Sequence, residues 1–176
     1  NKAFLKIGGQ TIFERILLVF SELFDDIILV TNEPHHYLDW DIQTVTDLFA
    51  VRSSLTGIHA GLFYANTTHA FCVACDTPFV QKSLIRCILD AIEPQMDVIV
   101  TKTSKGLEAL FGAYSKRCIK PIARKLQYNQ LKIQGFFSEV RTRKIPEETL
   151  RHHDAELISF FNINTPDDLQ TAERIH

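Results

Sequence analysis

The residues of this chain best suited to chemistry are acids and amides that follow apolar runs. Asp76 closes the run His69-Ala-Phe-Cys-Val-Ala-Cys-Asp76-Thr-Pro-Phe79. A segment so rich in Phe, Val and Cys reads as a strand buried on both faces, as in a parallel sheet covered by helices. An acid at the carboxyl end of such a strand sits at the rim where open α/β sheets bind ligands, which makes Asp76 a candidate metal or substrate ligand. The competing reading is a helix N-cap, since Asp or Thr before Pro and a helix over 81–92 is ordinary capping. Asp47 follows Asp41 to Thr46 in the same manner, and Asn32 ends Asp26 to Thr31. Hard oxygen ligands of this kind suit Mg²⁺, which keeps waters and is completed by substrate phosphates. The Asn32 amide offers donor and acceptor together, as reading a base or a hydroxyl requires. For each residue an Asx turn or cap is the structural alternative. Asn162 and Asn164 stand two apart before Thr165-Pro166, on one side of an extended backbone, where they either pin a heteroaromatic ligand or close a turn. Lys2 is a candidate donor to phosphates.

Other chemistries find less support. Cys72 and Cys75 form a CxxC inside the apolar run, where residues three apart point to opposite faces, poor geometry for zinc or a redox pair. The four cysteines read as inert core thiols in a reducing cytoplasm. His35-His36 and His152-His153 read as surface loops. The chain has no GxGxxG and no GxxxxGK[ST], and no supported Ser-His-acid or Cys-His arrangement. A net charge of −2 argues against a duplex-binding surface, and Arg141-Thr-Arg143-Lys144 reads as a solvated face. No apolar run is long enough for a membrane span.

Elements that alternate along the chain must position these groups. Thr11 to Phe24 predicts an amphipathic helix, with Thr11 and Glu14 at capping-box spacing. Strands are expected at 26–31, 41–46, 69–75, 97–101 and 157–161, and a further one at 110–114 that could run antiparallel. Helices are expected at 55–65, 81–92, 119–128 and 131–140. Thr165-Pro166-Asp167-Asp168 opens a closing helix with an N-cap, Pro at its first position and acids favoured by the helix dipole. Strands alternating with helices predict a single layered α/β domain over 1–176 around a mostly parallel sheet. A sheet of this kind normally begins with a strand feeding the first helix. None is visible before Thr11, so the expectation is that residues are missing from the front.

Read in order, these residues resemble the molybdenum cofactor guanylyltransferases (MobA-type enzymes) of the nucleotidyltransferase superfamily. The resemblance runs through the whole chain. Its specific pieces are Ala74-Cys75-Asp76-Thr77-Pro78-Phe79 and Phe161-Asn162-Ile163-Asn164-Thr165-Pro166-Asp167-Asp168-Leu169. Supporting pieces are Lys2-Ala-Phe-Leu with Gly8-Gly9 and Glu14-Arg15, Val30-Thr31-Asn32-Glu33-Pro34, Asp47, Leu55 to Gly61, and Glu108 to Tyr114. The resemblance implies a three-layer Rossmann-like nucleotidyltransferase fold with an antiparallel strand in the sheet. It also implies a first strand and a Gly- and Arg-rich phosphate loop upstream of Lys2, which this sequence does not contain. Ser53-Ser54 departs from the Gly-Pro pair usual in the family, so that pair's contacts are not carried over. By position, Lys2 falls on the GTP phosphates, Asn32 and Asp47 on the nucleoside, Asp76 on Mg²⁺, and Asn162 and Asn164 near the pterin substrate. The implied reaction is cytoplasmic transfer of GMP from GTP to molybdopterin, with pyrophosphate released and chaperones of molybdoenzymes as protein partners. Cytidylyl or sugar-phosphate nucleotidylyl transfer, or a non-catalytic module that binds the cofactor, stay open as alternatives.

Overall fold

Two short antiparallel strands precede the first helix. In the computed structural model, which describes residues 1–176, β1 (Lys6–Ile7) and β2 (Gln10–Thr11) form a hairpin. Gly8 and Gly9 turn it with φ of 56° and 87°, the paired positive values that two-residue hairpin turns require. The sequence pattern predicts no strand here, because two-residue strands carry no periodicity. Helix α1 (Ile12–Ser21) starts at a complete capping box, Thr11 accepting from the Glu14 N–H and Glu14 accepting from the Thr11 N–H.

Beyond α1, strand β3 (Ile28–Val30) pairs in parallel with β4 (Gln43–Val45). Helix α2 (Ser54–Tyr64) follows, with Ser53 as its N-cap accepting from the Thr56 N–H. The Ser53-Ser54 departure therefore supplies a capped helix start. Strand β5 (His69–Val73), helix α3 (Lys82–Asp90), strand β6 (Val98–Thr103) and the long β7 (Gly106–Ser115) come next. Helix α4 (Ile119–Gln127), strand β8 (Thr142–Pro146) and helices α5 (Glu147–Arg151) and α6 (Pro166–Ile175) complete the order.

The larger sheet has the order β5-β7-β6-β8. β7 is antiparallel to both β5 and β6, whereas β6 and β8 are parallel. All its strands but β7 therefore run one way, matching the expectation of a mostly parallel sheet with an antiparallel strand. β5 lies at an edge of this sheet, hydrogen-bonded only to β7 in antiparallel fashion, and is half-buried along its length where full burial of both faces is expected. Its apolar composition suits two covered faces, but no strand pairs with its outer side. The segments expected as a helix at 131–140 and a strand at 157–161 are 3₁₀ turns, Ile133–Glu139 and Ile158–Phe160. Arg141 to Lys144, expected as a solvated face, leads into and joins β8, and Arg143 is held by the Ala91 carbonyl (3.0 Å) and Glu93.

One core packs α1, α3 and α6 over Ile99, Phe111 and Ala113, and a second packs α2 and α4 over Val98, Val100 and Tyr114. Alternate residues of β6 enter opposite cores, so the sheet is the middle of three layers. A smaller aromatic cluster of Phe13, Tyr37, Phe4 and Trp40 covers the turn at Lys2–Phe4.

Candidate functional site

β5 ends at Val73, and the chain then carries Asp76 past the sheet's edge. Asp76 caps no helix. α3 begins at Lys82 with Gln81 as its N-cap, and the Gln81 N–H donates to Ser159 Oγ (3.1 Å). The capping reading is thereby excluded.

Residues far apart in sequence converge on Asp76. Lys2 Nζ lies 3.6 Å from Asp76 Oδ2 and donates to Asn164 Oδ1 at 2.8 Å. The Ile163 N–H donates to the Asp76 carbonyl (3.0 Å), so the segment from 162 to 164 runs alongside the turn after β5. Asn162 and Asn164 flank that bond, and Thr77 Oγ1 donates to Asn162 Oδ1 (3.1 Å). Asn164 is fixed from behind. Its own N–H and that of Thr165 donate to the Asp168 carboxylate at 2.9 and 2.8 Å. These two N–H groups, first among the causes, hold the Asp168 carboxyl below the usual carboxylate range. The α6 capping box thus locks the backbone that presents Asn164 to Lys2.

Lys2 is held by the aromatic cluster. Asn1 caps the Lys2–Phe4 turn, accepting from the Ala3 N–H (3.1 Å) and donating to the Tyr37 hydroxyl (3.2 Å). Ala3 is fully buried, and the Phe4 ring sits 5.0 Å from that of Tyr37. The capped turn fixes the Lys2 backbone, from which its side chain extends to Asp76 and Asn164.

Asn32 and Asp47 make a second grouping. Val30 and Val45 are partners in the β3–β4 ladder, and both residues lie just beyond that pair. Asn32 Nδ2 donates to Asp47 Oδ2 (2.7 Å) and Asn32 Oδ1 accepts from the Asp47 N–H (3.3 Å). This reciprocal pair ties the two strand ends and leaves Asp47 Oδ1 open to a donor. No hydrogen bond or ion pair joins the Asn32–Asp47 pair to the Asp76 cluster. Their link is structural: Asn32 leads into the turn Pro34–Tyr37, Tyr37 accepts from Asn1, and Asn1 precedes Lys2.

A carboxylate, an amide oxygen and an ammonium at one rim suit a polyphosphate accompanied by a hard cation. Nowhere do three or more His, Cys, Asp or Glu side chains gather as a metal cage. The thiols stand apart from this chemistry. Burial pushes Cys72 and Cys118 up to about 12, whereas Cys75 is exposed, beyond the last β5–β7 pair at Val73. The expectation of core thiols therefore fails at Cys75.

Two positioning residues are not evident from the sequence pattern. Thr77 reads there only as a cap, and its bond to Asn162 carries no sequence signal. Asp168 reads there as a helix-dipole acid. Its spacing from Thr165, a capping box with Asp in place of Glu, is the signal that it grips the Thr165 N–H.

Residues 1–142 match the model of the MobA-like NTP transferase domain. The molybdenum cofactor guanylyltransferase of Desulfosudis oleivorans is 42% identical over 173 residues, covering 98% of this chain and 86% of that protein. The crystal structure of molybdopterin-guanine dinucleotide biosynthesis protein A from Archaeoglobus fulgidus superposes with a TM-score of 0.88 at 28% identity, covering 99% of this chain and 89% of the other. The 2-C-methyl-D-erythritol 4-phosphate cytidylyltransferase of Thermus thermophilus superposes with a TM-score of 0.75 at 15% identity over 99% of this chain and 92% of its own, a likeness of fold alone.

Proposed function

We infer the activity of this chain from one premise: it belongs to the MobA-like NTP transferase family. It is a nucleotidyltransferase that moves GMP from GTP to molybdopterin in the assembly of the guanine dinucleotide form of the molybdenum cofactor. The terminal phosphate oxygen of molybdopterin attacks the α-phosphorus of GTP. A new P–O bond forms as the bond to the bridging α–β oxygen breaks, and pyrophosphate leaves with that oxygen.

The observation that carries the assignment of roles is the convergence of Lys2, Asp76 and Asn164. Such a reaction asks the protein mainly for in-line positioning and charge neutralisation. Lys2 donates one ammonium proton to Asn164 and faces Asp76, and in our reading its remaining donor capacity serves phosphate oxygens. Asp47 Oδ1, left open by the Asn32 bonds, accepts from the nucleoside, and Asn32 fixes the angle of that carboxylate. Asn162 and Asn164 border the acceptor side.

The residues fit magnesium arriving with the triphosphate. Asp76 offers hard carboxylate oxygens, and one carboxylate with phosphates and waters is a usual magnesium donor set. When bound, the ion would neutralise charge on the phosphates. In our reading Asp76 is its protein ligand.

Incubation of the full chain with GTP, Mg²⁺ and molybdopterin should release pyrophosphate and form the guanine dinucleotide, and CTP should compete poorly. No pyrophosphate above a protein-free control would overturn the proposal.

A further inference from the structure

Strands β6 and β7 pair regularly from Val98↔Tyr114 to Val100↔Gly112, and then the register jumps to Thr101↔Glu108. Ala109, Leu110 and Phe111 have no partner on β6 and form a bulge, pinned where the Tyr114 hydroxyl donates to the Ala109 carbonyl. Bulges of this kind re-aim a side chain. Here the side chain is Glu108, which reaches a small cavity walled by Ala74, Thr77, Phe111, Phe160 and Asn162. That cavity adjoins the Asp76 cluster directly, since Thr77 follows Asp76 and its hydroxyl bonds to Asn162.

Glu108 is half-buried and has no cationic partner. One carboxylate oxygen accepts from Thr103 Oγ1 (3.2 Å), and the other has no donor. Thr101, directly across the ladder, has a fully buried hydroxyl with no hydrogen-bond partner. The Glu108 carboxylate thus has room for further donors, and a ligand that enters the cavity can supply them. A phosphate would be repelled, and no further acid, His or Cys joins Glu108 to make a metal site. A neutral edge carrying two adjacent N–H donors fits instead. The cavity volume of about 30 Å³ admits roughly two water-sized groups, enough for a ring N–H and an exocyclic amine entering edge-on. Phe111 and Phe160 pack edge-to-face, ring centroids 5.2 Å apart, and together give the cavity one apolar side against which a flat heterocycle can lie.

We propose that Glu108 reads the amino-pyrimidinone edge of the pterin acceptor, with Asn162 and Thr77 completing the subsite. The inference rests on the transfer reaction assigned above and adds the residue that selects its acceptor. Guanine carries the same edge, but the Asn32–Asp47 pair is the nucleoside's own place, so the pterin is the occupant.

The test is Glu108→Gln in the full chain, which keeps an acceptor for Thr103 and places an amide N–H₂ against the ligand's donors. Binding of free 2-amino-4-oxopteridine, followed by its fluorescence, should weaken about 10-fold or more, the range for a hydrogen bond to a charged group. KM for molybdopterin should rise in parallel, while KM for GTP stays within about two-fold of wild type. The 2,4-dioxo analogue, which lacks the amine, should bind wild type poorly and be insensitive to the change. A rise in KM for GTP with pteridine binding intact would place guanine here and overturn the proposal. Unchanged binding of both would reduce Glu108 to a wall residue and overturn it equally. Should the variant unfold, Glu108→Asp is read identically, with a weakening of pteridine binding expected because the shorter acid withdraws from the edge. Pteridine binding needs no turnover, so an inactive wild type that still binds the pteridine through Glu108 would count against the assigned reaction and leave this subsite standing.

Discussion

Asp76→Asn separates the catalytic from the structural account of the rim most cleanly. The substitution removes charge and keeps shape. Its cost to folding follows from what Asp76 touches. The carboxylate lies 3.6 Å from a Lys2 side chain that is 44% exposed, while Asp76 itself is 22% exposed. A pair so open to solvent contributes about 0–1 kcal/mol. The bond from the Ile163 N–H goes to the Asp76 backbone carbonyl, which the change leaves in place. No helix cap is lost, because Gln81 occupies that position. For a chain of this size 1 kcal/mol moves Tm by roughly 2–4 °C, so the variant should melt within about 4 °C of wild type. Activity should fall at least ~100-fold, about 2.7 kcal/mol of transition-state stabilisation, because an amide cannot replace an anionic ligand to a cation on the phosphates. Pyrophosphate release at saturating GTP and Mg²⁺, with thermal unfolding followed by circular dichroism, reads both quantities. Turnover near wild type would remove Asp76 from the chemistry. A Tm fall beyond about 10 °C, with activity tracking the folded fraction, would make it a structural residue.

Two further outcomes are expected. Lys2→Ala should lower kcat/KM for GTP by about 10- to 100-fold, chiefly through KM, and Lys2→Arg should restore little, because a planar guanidinium does not reproduce a compact ammonium between Asp76 and Asn164. Steady-state kinetics with GTP varied checks both variants. Asp97 is buried, which opposes its ionisation, yet the Arg141 N–H (2.9 Å) and the Arg117 guanidinium outweigh burial and lower its pKa. A carboxyl lowered by folding stabilises the protein above its unfolded pKa of about 3.9, and that stability is lost as pH falls through the lower folded value. Asp97→Ala should therefore cost about 2–3 kcal/mol at pH 7. The gap in urea midpoint between variant and wild type should close on acidification below pH ~4; a constant gap would show that packing, not charge, is what Asp97 contributes.

Much of the architecture is legible in the sequence because it is written locally. Capping boxes at Thr11 and Thr165 need residues only three apart, and both helices begin where those boxes place them. The short apolar runs Ile28–Val30, His69–Val73 and 98–100 are strands with no exposed position, and such coverage of both faces selects their composition. The acids and amides that end them can be named from that pattern alone. Two-residue strands and 3₁₀ turns escape notice, since neither is long enough to show a period.

Which of those groups meet is decided only by the folded chain. The ammonium of Lys2 bonds an amide 162 positions away, and the position of that amide depends on the α6 cap and the bond from Ile163 to Asp76. Asn32 and Asp47 pair because β3 and β4 are parallel and in register, which strand composition does not encode. The edge position of β5 and the bulge that turns Glu108 toward the cavity are likewise outcomes of pairing. Short-range sequence carries the energetics of caps and periodic burial, whereas pairing between distant segments is settled only when all the layers pack at once.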